Sequence, residues 1–246
     1  MRDSTIDRDG ITLTIVDRAA TITVNAPQRD NRFTVAQMRA FIAALGEAQA
    51  SDASVLLLRS GAADFTLGRD QSETGTGLTR LESLGLILEA NSLLREFGGV
   101  SVCEVRGRAF GFGAGIAVQS DVTICSDDAT FSFDEINYQL APLVVADYLP
   151  RLTSPKTAAY MLFSGDVLPA EDAHTHGIVT RVVRRTELEQ HTLALRDTFA
   201  DKHAGAVRMI KRYLLDAVAG TMDDPAAEGI ARLDAWIGSG RPDSVG

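Results

Sequence analysis

The sequence predicts an α/β fold whose strands are joined by helical crossovers. Three observations carry this reading. Continuous apolar runs at 54–59, 101–106 and 121–125 are of the kind buried on both faces of a parallel sheet. Glycine-containing breaks and helical patterns alternate with these runs, so the unit strand, glycine turn, helix recurs. The C-terminal third is almost entirely of helical spacing.

Taken in order, 11–16 and 20–25 alternate apolar residues with threonine and predict an opening hairpin turning at Asp17 and Arg18. The segment 26–32, APQRDNR, breaks the pattern. Thr34 then caps a helix over 35–50, with Met38, Phe41, Ile42 and Leu45 on one face. After the strand at 54–59 come 61–70, a Ser/Gly/Thr-rich stretch to Thr79, and a helix over 81–97 stopped by Gly98 and Gly99. The strand at 101–106 breaks into 107–115, GRAFGFGAG, and resumes as an apolar helix to about residue 120. Another strand is expected at 121–125. Helices are expected at 145–152, at 155–163 with Pro155 in its first turn, and at 170–175 with Gly177 as the stop. A last strand at 178–183 precedes helices at 187–200, 204–219 and 225–236.

Composition narrows the function. A chain of 246 residues with 45% hydrophobic content can bury a sizeable core. A net charge of −9 disfavours nucleic acid as a partner, because phosphate backbones are bound by clustered Lys and Arg. Cys103 and Cys125 lie in apolar strand-like runs and read as small buried hydrophobes. His174, His176, His191 and His203 lack ligand spacing to any Cys or carboxylate cluster, so no metal site is expected. No signal-like apolar region opens the chain and no stretch is apolar enough to span a membrane, so a soluble cytoplasmic protein is expected.

Two loops stand out, 65–70 (FTLGRD) and 111–113 (GFG), each a glycine turn following a buried strand. If the strands are neighbours, one backbone N–H from each loop can converge on one oxygen and stabilise negative charge there. Glycines that merely mark turns are the simpler reading. A dinucleotide-binding turn is the other alternative, since Glu135 lies about 20 residues beyond the last glycine, but the alternation of Gly111, Gly113 and Gly115 has the wrong spacing for it.

In this order the segments 21–33, 55–70, 105–113, 120–131, 164–173 and 177–183 resemble the crotonase (enoyl-CoA hydratase/isomerase) superfamily over nearly the whole chain. The resemblance implies a spiral of ββα units carrying an acyl-CoA site over 1–190, and a C-terminal helical region over 191–246 that builds homotrimers, often paired into hexamers. It implies an acyl-CoA substrate, with coenzyme A as part of that substrate and no separate cofactor. The thioester oxygen would be held by the main-chain amides of Arg69 and Phe112. Coenzyme A would lie along Arg29, Phe33, Leu67 and Asp70, with Gly111 in the second loop lining the site.

The family places catalytic glutamates at up to two positions. Here the first is Gly115 and the second is Glu135, flanked by Phe131, Phe133 and Ile136. A carboxyl in such apolar company gains a raised pKa suited to moving a proton. One carboxylate suffices for a 1,3-proton shift, whereas two-carboxylate hydration of an enoyl-CoA is put in doubt. Similarity to hydroxycinnamoyl-CoA hydratase-lyases and carboxymethylproline synthases keeps lyase and enolate C–C chemistry open, as well as CoA-ester binding with little catalysis. After Pro142 the chain has LVVADY where relatives have small, glycine-rich sequence. Asp147 is there either a second acid or a helix-surface residue. The chain stops at 244–246, where relatives usually add a helix. Trp236 is either a partial replacement for that lid or a core or interface residue.

Overall fold

The computed structural model describes residues 4–243. A strand not expected from the sequence, β1 (Ser4–Arg8), opens an antiparallel meander with β2 (Ile11–Val16) and β3 (Ala19–Val24). β1 escapes the periodicity because Ile6 is its only large apolar residue. Helix α1 (Val35–Ala50) then crosses over to β4 (Val55–Ser60), which runs parallel to β3. Thr34 caps its start as expected, and Gln37 completes a reciprocal capping box.

Helix α2 (Arg80–Arg95) has the same device in Thr79 and Glu82, and returns the chain to β5 (Val100–Val105), parallel to β4. The glycine stretch after β5 does not pass straight into a helix. Gly107 and Gly111 both take positive φ, +58° and +50°, and between these two turns lies a short strand, β6 (Arg108–Phe110). Helix α3 (Phe112–Gln119) follows, with all eight residues buried. β7 (Val122–Ser126) lies parallel to β5, and β8 (Thr130–Ser132) pairs with β6.

Beyond β8 a 3-10 turn over Asp134–Tyr138 leads to α4 (Leu143–Leu152), α5 (Pro155–Ser164), β9 (Leu168–Pro169) and α6 (Ala170–Thr175). The last strand, β10 (Arg181–Val183), starts later than expected, because Ile178 and Val179 are buried by side-chain packing before strand pairing begins. Helices α7 (Leu188–Ala200), α8 (Ala204–Ala219) and α9 (Pro225–Gly238) complete the described chain.

Two sheets result: a seven-stranded one ordered β1-β2-β3-β4-β5-β7-β10, and a three-stranded one ordered β6-β8-β9. The fold is mixed α/β with C-terminal helices, the class expected from the sequence. Near-continuous burial of β4, β5 and β7 reflects layers on both faces, with α1, α2 and α3 contributing to the main core and α7 to a smaller cluster on Val55, Leu57 and Val102. Cys103 and Cys125 are free and buried, and burial pushes the Cys125 thiol up to about 12. The C-terminal helices are tied to the sheet by polar contacts: Lys211 of α8 donates to Asp121 at 2.6 Å, and Thr192 of α7 to the fully buried Glu104. Among the described residues, no helix is long and apolar enough to cross a membrane.

Candidate active site

The loop before α2 and the turn before α3 meet. Gly68 has φ +78°, and a Cβ built on it would stand 3.0 Å from the Phe110 carbonyl oxygen and 3.1 Å from the Phe112 nitrogen. The first loop is held by a parallel bridge: Phe33 N donates to Gly68 O (2.8 Å) and Asp70 N to Phe33 O (2.9 Å). In such a bridge the intervening residue, Arg69, directs its own N–H to the opposite side. Its side chain is spent on anchoring, donating to Phe33 O, Ser83 O and Ser83 Oγ.

In the second loop, Gly115 N donates to Gly111 O at 3.0 Å, so the amides of the first turn of α3, Phe112 among them, precede the helix's own ladder. These orphan donors and the helix dipole favour negative charge at this point. Close approach is enforced by Gly113, whose Cβ would fall 2.5 Å from Thr66 O. Asp64 clamps the loops together, accepting from Arg108 N (2.8 Å) and from the Arg108 guanidinium (2.6 Å). That guanidinium holds the Asp64 carboxyl below its ordinary range.

Asn31 is the buried pivot beneath the first loop. It sits in the left-handed region at φ 53°, which Asn tolerates better than most residues. Its Nδ2 donates to Ser60 Oγ, Asp64 O and Phe65 O at 2.8–3.1 Å, and its Oδ1 accepts from Ala26 N at 2.6 Å. Truncation leaves several buried backbone groups without partners. Asn31→Ala is therefore expected to lower unfolding stability by on the order of 3 kcal/mol, read as a shift in the urea midpoint.

Glu135 lies over the second loop. Its Oε1 is 3.2 Å from where a Cβ on Gly111 would stand, and its Oε2 is buried without a hydrogen-bond partner. Burial raises its pKa above the ordinary carboxylate value, its own backbone amide opposes that shift, and Asp134 adds to it. An ionisable oxygen left unpaired in this way is available to a ligand.

Arg29 is largely exposed and touches Asp70 at 3.5 Å, and Asp70 also accepts from Ser72 Oγ at 2.6 Å. Leu67 is buried, and Arg32, not singled out from the sequence, donates to its carbonyl at 3.0 Å. Phe33 is only 1% exposed, in edge-on contact with Phe41 and Phe112 at centroid distances of 5.4 and 5.3 Å. Its ring therefore supports the two loops from below and does not face a groove. Asp147 is exposed and paired with Arg151, which answers the open question at that position in favour of a surface residue. The next residue, Tyr148, points inward instead, 3% exposed. Trp236 stacks edge-on against His203 at 5.5 Å and donates to Pro242 O, as part of the C-terminal helical packing. Residues 244–246 lie outside the described residues.

The family model described as "Enoyl-CoA hydratase/isomerase" matches residues 15–229, most of the chain. The sequence is 26% identical over 207 residues to the hydroxycinnamoyl-CoA hydratase-lyase of Pseudomonas fluorescens, covering 80% of this chain and 75% of that protein. It is 28% identical over 211 residues to the 1,2-epoxyphenylacetyl-CoA isomerase of Escherichia coli, covering 82% and 80%. Among solved structures, a probable enoyl-CoA hydratase from Mycobacterium thermoresistibile superposes with a TM-score of 0.77 at 27% identity, covering 90% of this chain and 93% of that one. Other relatives are longer: the chain spans 61–68% of the length of those it matches in mouse, rat and human.

Proposed function

The chain belongs to the enoyl-CoA hydratase/isomerase family, and from that premise we propose that it is an acyl-CoA enzyme that moves a proton with one carboxylate, Glu135. In this reading the Arg69 and Phe112 amides receive the thioester oxygen. Glu135 removes a proton from the α- or γ-carbon of the acyl group while the electron pair moves onto that oxygen, and as the pair comes back the proton passes either to the other of these carbons or to an oxygen leaving the β-carbon. The outcome is either a double-bond shift or addition and elimination at the β-carbon. The observation that carries the reading is the Glu135 carboxyl over the Gly111 turn, one oxygen unpartnered, beside the amide-bearing start of α3.

Support also comes from relatives named as an isomerase and a hydratase-lyase, both acting on CoA esters. Arg29 and Asp70, with the backbone at Leu67, flank the entry to the first loop and are proposed to meet coenzyme A. An exposed apolar stripe on α8 (Ile210, Leu214, Val218), with Ile230, Leu233 and Ile237 on α9, supports a homotrimer or hexamer. Turnover of enoyl-, β,γ-unsaturated and 3-hydroxyacyl-CoA esters tests the function. Conversion of at least one class is expected. Saturable NAD(P) binding with no acyl-CoA binding would contradict it, and acyl-CoA binding with no turnover of any class would favour a non-catalytic relative.

A further inference from the structure

Gly111 immediately precedes α3, and the first turn of that helix brings Gly115 back to it, the Gly115 N–H donating to Gly111 O at 3.0 Å. Over Gly111 stands Glu135. Over Gly115 stands the hydroxyl of Tyr148: a Cβ built on Gly115 would lie 2.5 Å from Tyr148 Oη, closer than real Cβ atoms approach a neighbour. The phenol therefore occupies the space in which any side chain at 115 would have to begin. One further turn along the same face is Gln119, 6% exposed, whose Nε2 donates to Gly115 O at 3.1 Å and whose Oε1 is buried without a partner.

This row of polar atoms is costly to build inside a fold and is not needed to pack it. A phenylalanine would fill the same volume as Tyr148, and a buried tyrosine hydroxyl usually has a polar partner to meet. The placement follows from α4, which turns Val145, Tyr148 and Leu149 inward and Asp147 outward to Arg151. With Glu135 Oε2 and Gln119 Oε1 both unpartnered on either side of the hydroxyl, the row suits a ligand that brings its own hydroxyl or water, more than a plain alkyl chain.

We infer that Tyr148 is the second polar group of the acyl site, and that its hydroxyl hydrogen-bonds an oxygen carried on the acyl β-carbon. The inference rests on the acyl-CoA reading above and deepens it, selecting addition and elimination of oxygen at that carbon. In the addition direction, Glu135 takes a proton from water as the water oxygen bonds to the β-carbon. The C=C pair moves onto the thioester oxygen, and Glu135 then returns the proton to the α-carbon as that pair comes back. Tyr148 holds the oxygen and exchanges no net proton. Burial and the nearby Glu135 push its hydroxyl well above the usual phenol range, so it stays neutral throughout.

The test compares binding of butyryl-CoA with that of both enantiomers of 3-hydroxybutyryl-CoA to the full chain, to Tyr148→Phe and to Gly115→Ala, whose added methyl displaces the phenol. The unsubstituted protein is expected to bind one hydroxy ester about 10-fold more tightly than butyryl-CoA, the scale of one hydrogen bond. Both variants are expected to keep butyryl-CoA affinity and lose that preference. A preference retained in Tyr148→Phe, or absent from the unsubstituted protein while butyryl-CoA binds, overturns the role of Tyr148 and leaves the acyl-CoA reading standing. Failure of every CoA ester to bind overturns that reading, and this inference with it.

Discussion

Glu135→Gln is expected to lower turnover of any acyl-CoA substrate by about 10³-fold, the scale lost with a positioned general base. Gln preserves the shape that fits over Gly111 and cannot take a proton, so KM should change little while kcat collapses. The same burial predicts a pH signature. Glu135 is raised above its ordinary value, so its working, ionised form appears only as pH climbs through that raised value, and the acidic limb of the kcat/KM profile should be shifted upward from that of an ordinary glutamate. For stability the sign is opposite to that of a salt-bridged carboxylate. The folded state holds the Glu135 proton more tightly than the unfolded state does, so this residue's contribution becomes unfavourable as pH rises from the unfolded to the folded pKa. Glu135→Gln should therefore match or exceed the unsubstituted protein in thermal stability at neutral pH. A variant both inactive and markedly less stable would instead mark Glu135 as structural.

Gly68→Ala should act on the other half of the chemistry. Position 68 adopts φ +78°, where a non-glycine residue is strained, and its methyl would press on the Phe110 carbonyl and the Phe112 amide at 3.0 and 3.1 Å. Relief comes only by separating the two loops, which moves the Arg69 and Phe112 amides off a common oxygen. Misaligning one such donor costs about 10²-fold in kcat. Affinity for free coenzyme A, which does not use those amides, should be nearly unchanged, and a steady-state comparison of kcat with that affinity separates the two effects.

Local signals in the sequence account for much of this structure. The period of α1, the Thr34 cap, Pro155 at the start of α5 and the apolar runs of β4, β5 and β7 are properties of neighbouring residues, and each falls within a residue or two of its expected place. β6, β8 and β9 were not legible, because each is two or three residues long and exists through pairing with a strand elsewhere in the chain, whereas β1 forms a hairpin with its neighbour β2 and was missed for want of apolar residues. Within the site, the two glycine loops stood out by residue type, and Glu135 through the family resemblance and its apolar neighbours. Their convergence did not, since it depends on Asn31, Asp64 and Arg108, whose contacts cross tens of residues. Asp147 attracted attention as an acid near the site, whereas the helix turns it outward and aims its neighbour Tyr148 inward. The available signal was a pair: a glycine at 115, and an aromatic at 148 in helical register with Val145 and Leu149.

Exchange of α-protons on a saturated acyl-CoA in heavy water, followed by proton NMR, isolates enolate formation at Glu135 from any later bond change. Butyryl-CoA is expected to lose its α-proton signal with the unsubstituted protein and to keep it with Glu135→Gln. Exchange at an undiminished rate in Glu135→Gln, or no exchange by the unsubstituted protein with butyryl-CoA bound, would contradict enolate formation at Glu135.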